Sequence, residues 1–281
     1  MQEFICTDET LDIYSTLQYR LSIQMSLDGF SFSILDTIQD KFVLLQHRPF
    51  YLKWSGQLQE ELNKIVSDNP ILEKQFKSTH IAISTPQVAL IPQSFYNTED
   101  QEVLFYQNFP YKTKQKLRES QFQEQELTAI YSIPELMDNF ITHQFEEAHV
   151  THHMVPFVTY GLKQFKHKQK CFVFAHEKHL EVFAVTENKL QFYNHFRYKN
   201  ESDIIYYILS VYKQLNLTPE TDELILAGYL KKQSELYQQL KRYIRKIEFL
   251  KMDNSHTYSY TFNQIPKHFY STLISLSECE L

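Results

Sequence analysis

The chain has 281 residues, 34 of them acidic and 28 basic, for a net charge of −6; 43% are hydrophobic and 15% aromatic. That apolar content builds packed cores and excludes a disordered chain, and the acidic balance excludes a global field that recruits nucleic acid. Only four glycines are present, few for loops that bring backbone amides against phosphate.

Residues 1–18 read as a leader strand or arm. The stretch Met1 to Glu9 is acidic and lacks an apolar core, so no signal peptide is expected. No apolar run approaches the length of a membrane-spanning helix. Cys6, Cys171 and Cys279 lie far apart with no CxxC pair, which fits a reducing compartment. A cytoplasmic protein without membrane insertion is the expectation.

A β pattern begins at Leu21, where Leu21, Ile23 and Met25 alternate with polar residues. Asp28-Gly29 is a hairpin signal, and Phe30, Phe32 and Ile34 continue the return strand. Gln39-Asp40 turns the chain into a third strand, Phe42 to Gln46. Gly56 to Ser67 has helical spacing, with Leu58, Leu62 and Ile65 on one face. Ile71 to Phe76 reads as a short helix or turn, then His80 to Ser84 and Val88 to Ile91 as short strands. Val103 to Phe109 and Leu127 to Ile133 read as strands, Glu135 to Gln144 as a helix opened by Pro134, and Val150 to Met154 as a strand. Pro156 to Phe165 is helical or extended, and the Lys-rich segment 163–170 is the expected passage between lobes.

The second half repeats this order. Cys171 to Ala175, His179 to Val185 and Leu190 to Phe196 read as three strands, Asp203 to Leu215 as an amphipathic helix, and Glu223 to Ala227 as a strand ending at Gly228. A helix at 231–243, a strand at Ile247 to Leu250 and a last helix from Pro266 follow. Asp40 to His47 lies over Asn188 to His195 at an offset of 148 residues, a repeat at domain scale. The expected lobes are residues 1–165 and 166–281.

With its meander, helix and strand in each half, the chain resembles the actin, hexokinase and heat-shock-ATPase superfamily. More closely it resembles a family of bacterial proteins of unknown function with an actin-like fold, chiefly over Leu21 to Phe32 and Leu224 to Gly228. The resemblance implies a two-lobed α/β fold, of the duplicated ribonuclease H-like kind, with a mixed five-stranded sheet in each lobe. It also implies a nucleotide gripped by one hairpin per lobe, with an Asp orienting Mg²⁺ or water. Asp28, Gly29 and Ser31 keep part of the first hairpin, although Gly follows Asp directly; an ordinary Asp-Gly turn with φ > 0 is the other reading. At the second tip, Ala175 to His179, there is neither Gly nor Asp, and bulky side chains crowd the place of the phosphate. Gly228 either lets adenosine approach or simply ends its strand. No GxxxxGK[ST] or GxGxxG loop occurs.

Four histidines, His143, His149, His152 and His153, stand close in sequence, but strand alternation sends the last two to opposite faces. His176-Glu177-Lys178-His179 has one residue too few for HExxH and lies at a strand turn. No catalytic or metal-ligating set is expected. The basic runs at 163–170 and 241–246 are the candidates for RNA or phosphate contact. The composite expectation is a non-catalytic actin-like scaffold that binds a protein partner, without a bound cofactor. A divergent ATP- and Mg-dependent kinase or ATPase and a nucleic-acid accessory protein are the alternatives.

Overall fold

In the computed structural model, residues 3–54, 56–164, 169–251 and 256–278 are described. They fall into two compact units, Met1–Pro156 with Asn254–Gln264 and Thr272–Leu281, and Phe157–Asp253 with Ile265–Ser271.

In chain order the elements are β1 (Phe4–Thr7), β2 (Tyr19–Met25), β3 (Gly29–Asp36), β4 (Lys41–Pro49), α1 (Gln57–Asp68), β5 (Ser78–Ile83), β6 (Val88–Pro92), α2 (Gln101–Tyr106), β7 (Gln115–Phe122), β8 (Leu127–Pro134), α3 (Glu135–Gln144) and β9 (His149–His152). Then come α4 (Met154–Gln164), β10 (Lys170–Ala175), β11 (His179–Thr186), β12 (Lys189–Arg197), α5 (Glu201–Gln214), β13 (Glu223–Gly228), α6 (Glu235–Leu240), β14 (Ile247–Phe249), β15 (Thr257–Tyr258) and α7 (Ser271–Glu278).

The main sheet of the first unit has the order β1-β4-β3-β2-β5-β9, with β15 also paired to β4. The meander β2-β3-β4 is antiparallel, and β5 and β9 join it in parallel. Leu21, Ile23, Ile81 and Ile83 from the strands pack with Leu58, Leu62 and Ile65 of α1 and Met137 and Ile141 of α3. Strand alternation and helical spacing thus place both apolar sets in one core. This sheet holds seven strands rather than the expected five. The extra two, β1 and β15, lie on the outer edge of β4, where the buried Asp8 pairs with Lys41 at 2.8 Å and its amide donates to Val43 O. A second sheet, β6-β8-β7, stands apart.

Two readings of this half change. Val103 to Phe109 is largely the helix α2, not a strand, because Phe105 and Phe109 meet as an i,i+4 ring pair with centroids 4.8 Å apart. Strand β7 was hidden by its polar composition, since only Ser120 and Phe122 of its eight residues are buried.

The second unit carries one sheet, β12-β11-β10-β13-β14, with the expected five strands. Its order repeats that of the first: third, second and first strands of a meander, then two parallel strands. The repeat extends to irregularities. Asp40 and Asn188, the residues before the third strands, both have positive φ (53° and 63°). Each third strand then bulges by one residue: Leu44 and Phe42 pair with Ile34 and Leu35, skipping Val43, and Phe192 and Leu190 pair with Ala184 and Val185, skipping Gln191. Val43 and Gln191 are 148 residues apart, so the sequence alignment and the backbone agree.

One face of this sheet packs on α5 and α6 through Val173, Val182, Leu224, Ile208 and Leu240. Helix α5 starts with a capping box, in which Asn200 Oδ1 accepts from the Asp203 amide (3.0 Å) and the Asp203 carboxylate accepts from the Asn200 amide (3.4 Å). The other face carries Phe174 and Phe172, the latter stacked on Phe183, and Phe157 of α4 packs edge-on against Phe174 and Phe183. A Cβ on Gly161 would stand 2.9 Å from the Phe183 ring, so glycine allows the helix to close on the sheet.

Truncating Ile208, fully buried in α5, to Ala is expected to cost about 2–5 kcal/mol. Asn200→Ala is expected to cost about 1 kcal/mol through the lost cap, and Tyr206→Ala, on the exposed face, less than about 0.5 kcal/mol. Urea unfolding midpoints of the three variants test this order.

Candidate functional site

The two hairpin tips are built alike. Ser26 N donates to Gly29 O (3.0 Å) across the two-residue loop Leu27-Asp28, and His176 N donates to His179 O (2.9 Å) across Glu177-Lys178. The residue that follows each third strand pins its loop: Phe50 N donates to Asp28 O, and Tyr198 N to Lys178 O. Lys178 therefore takes the place of Asp28, and His179 that of Gly29. The meander turn is two residues longer in the first copy, which is why the tips are offset by 150 residues and the third strands by 148.

At the first tip the structure brings Asp28, Gly29 and Ser31 together. Asp28 is half-buried, and its amide donates to Ser26 Oγ (3.0 Å). Gly29 does not have positive φ, contrary to the Asp-Gly turn expected from the sequence. Its small size serves close packing instead, since a Cβ there would meet Arg48 O at 2.9 Å. Ser31 is buried, and its hydroxyl pairs with His47 Nδ1 at 2.8 Å. Burial pushes the His47 imidazole down to about 4, so it stays neutral there.

Gly228, in the second unit, is the glycine with positive φ (73°). A Cβ would lie 2.3 Å from Ala175 O, whose carbonyl accepts from the Tyr229 amide (2.8 Å). Gly228 is thus required by the turn out of β13 whatever else it does.

The second tip is filled. Glu177 and Lys178 point outward, but His176 and His179 are buried and their rings stack at 4.1 Å. Glu181, two residues further along the strand from His179, is fully buried. Its Oε1 accepts from His176 Nε2 (2.7 Å), and its Oε2 from the Tyr193 hydroxyl (3.0 Å). The same hydroxyl lies 2.8 Å from His195 Nε2. Burial beside Glu181 holds Tyr193 far above the usual tyrosine range, so it remains a donor. The sequence argues against the HEKH segment as an HExxH site on its spacing and its place at a strand turn. The signal that reading missed was strand alternation, which puts His179 and Glu181 on one face.

The other candidates separate. His152 contacts Thr85 O through Nε2 (3.0 Å), and His153 contacts Thr272 Oγ1 (2.5 Å). His149 meets His80 ring to ring. Burial first, and then the nearby Arg20 guanidinium and His149, push His80 down to about 4. Of the first basic run, Lys166 and Lys168 lie outside the described residues, and Lys170 is buried in an ion pair with Glu223. In the second run Lys241 covers the Tyr237 ring and Lys246 bonds Thr221 O. Burial raises the Cys171 thiol well above its ordinary range, which leaves it inert. A cavity of about 540 Å³ in the first unit, lined by Lys74, Lys77, His143 and Glu146, opens at the start of β5 and β9, the opposite strand end from the Asp28 tip.

Two sheets of one topology, each a meander followed by parallel strands and related by matching turns, bulges and hairpin tips, define a chain of the actin-like ATPase fold. It belongs to the family described as "Protein of unknown function (DUF3822)", whose profile matches residues 8–247. A Bacteroides thetaiotaomicron VPI-5482 protein described as having an actin-like ATPase fold and unknown function superposes with a TM-score of 0.83 at 25% identity, over 96% of this chain and 100% of the other. The PilM-PilN type IV pilus biogenesis complex matches at 0.60 and 9% identity, over 92% and 97%. The ethanolamine utilization protein EutJ from Carboxydothermus hydrogenoformans matches at 0.50 and 8%, over 92% and 89%. No curated protein matches the sequence. No helix among the described residues is long and apolar enough to cross a membrane.

The unfolded chain protonates His47 and His80 near pH ~6.5, the folded chain only near 4. Their contribution to stability is full above pH ~6.5 and is lost as the pH falls toward 4. Urea midpoints measured from pH 7 to 4.5 are expected to fall, and to fall less steeply in His47→Gln. Gly228→Ala is expected to lose at least ~1–2 kcal/mol from the left-handed backbone alone, read from the same midpoints.

Proposed function

We propose that the chain is a non-catalytic actin-like scaffold that binds a protein partner, with a nucleotide site that has degenerated. The observation that carries this reading is the second tip. Where the fold's phosphate-gripping hairpin would offer glycine amides and an Asp, this chain has Lys178 and His179, with imidazole rings packed behind them. Phosphoryl transfer is mostly positioning and electrostatic stabilisation of the phosphates and their metal. A tip with neither leaves Asp28 alone, and Ser31 is engaged by His47.

A protein partner is favoured by the third strands. The outer edge of β4 is covered by β1 and β15, whereas among the described residues β12 pairs only with β11 and is exposed or half-buried along its length. The last strand of a sheet is where another chain can add a strand of its own. The PilM-PilN structure, of like fold, is itself a complex. We further infer that residues 1–165 and 166–281 are the two halves of the duplication, with the last elements of the second half returning to the first unit.

Thermal melting with and without Mg-ATP tests the reading. A nucleotide at a hundred times its Kd would stabilise by about 2.7 kcal/mol and raise the midpoint by several degrees. No shift is expected. A rise that Asp28→Ala abolishes would establish a working nucleotide site and overturn the degenerate one.

A further inference from the structure

The second tip has a chemistry of its own, which the first copy of the repeat lacks. Glu181 lies directly opposite His195 across the β11–β12 ladder, and His179 is two positions from Glu181 on the same face. One nitrogen from each ring and one carboxylate oxygen lie within 4.8 Å of one another. The equivalent positions in the first copy are Gly29, Ser31 and His47, which offer a single imidazole and no carboxylate. The cluster is therefore a property of this sequence and not of the fold.

We propose that His179, Glu181 and His195 bind a divalent transition metal of the zinc class. Two imidazoles and a carboxylate are a recognised donor set for such an ion, with a fourth position left for water. Bonds of ~2.0–2.2 Å put tetrahedral ligand atoms ~3.3 Å apart, so side-chain rotations of ~1.5 Å or less close the present spacing. The fully buried carboxylate already meets His176 Nε2 and the Tyr193 hydroxyl, and a bound ion adds to their stabilisation of its charge.

The groups around the set act as its outer support. The Tyr193 proton goes to Glu181 Oε2, so the contact with His195 is made by the Nε2 proton donating to the tyrosine oxygen. A neutral His195 then carries an unprotonated Nδ1, the ligating form. His176 holds the other carboxylate oxygen through Nε2. Such partners fix ring tautomer and carboxylate orientation in metal sites.

The test uses the full chain, stripped with EDTA, incubated with zinc and passed through gel filtration. Elemental analysis is expected to find one zinc per chain. His179→Ala, His195→Ala and Glu181→Gln are each expected to lower retention at least tenfold, and His149→Ala, outside the cluster, to leave it unchanged. Because His179 and Glu181 are buried, circular dichroism accompanies each variant, and the half-buried His195 is the variant least disruptive to folding. Cobalt substitution adds a readout free of the variants: visible bands of a four- or five-coordinate nitrogen–oxygen site, lost on adding one equivalent of zinc. Retention below a tenth of an equivalent by the unaltered chain, or folded cluster variants that keep the metal, would overturn the proposal. The result is independent of the Mg-ATP melting outcome, which reads Asp28.

Discussion

A single extra residue in the third strand of each meander sets what the hairpin tips can do. Side chains alternate along a strand, so one inserted residue moves all that follow to the other side of the pairing register. Were Val43 paired rather than bulged, Ser31 would face Gln46 in place of His47. Were Gln191 paired rather than bulged, Glu181 would face Asn194 in place of His195. Both the Ser31–His47 contact and the Glu181 cluster depend on that shift. The left-handed Asp40 and Asn188 just ahead of the bulges start both strands in the same way.

On this common frame the two copies have diverged in where they are covered and what they hold. The first meander has its outer edge closed by β1 and β15 and keeps an Asp-Gly tip. Among the described residues the second has β12 as its last strand, and its tip is filled with His176, His179 and Glu181. A polar network so deeply buried is costly unless each group is satisfied. Here the carboxylate is approached by His176 and Tyr193, and the opposing His195 is held by the same tyrosine. That degree of organisation behind a surface turn separates the second tip from an ordinary hairpin.

The parallel neighbours of the meanders impose a further limit. Gly228 has to leave β13 with positive φ and with Ala175 O 2.3 Å from where a Cβ would stand, so no other residue fits there without strain. Its presence is explained by the backbone alone. Gly29, in contrast, has an ordinary φ and is small because Arg48 O lies close. Two glycines that look alike as remnants of a nucleotide site thus have different physical origins.

The duplication was legible in the sequence because each element of it is local. Alternation in Leu21, Ile23 and Met25, the spacing of Ile204, Ile208 and Val211, and the match of Asp40–His47 to Asn188–His195 all follow from periodicity and turn chemistry. A leader strand or arm was legible at residues 1–18, but not that Phe4–Thr7 and Thr257–Tyr258 would join the first sheet. Phe4–Thr7 and Thr257–Tyr258 are too short to carry a pattern, and they pair with β4 only because its edge is left open by the meander. Strand β7 was masked by its polar residues, and α2 by apolar residues that fit either period. The cluster at the second tip needed tertiary structure most of all. The 13 residues between Glu181 and His195 give no hint of contact until a bulge and an antiparallel register put the two side by side. The sequence determined the elements and their repetition, which depend on near neighbours, and the fold decided the chemistry, which depends on residues that only the sheet brings together.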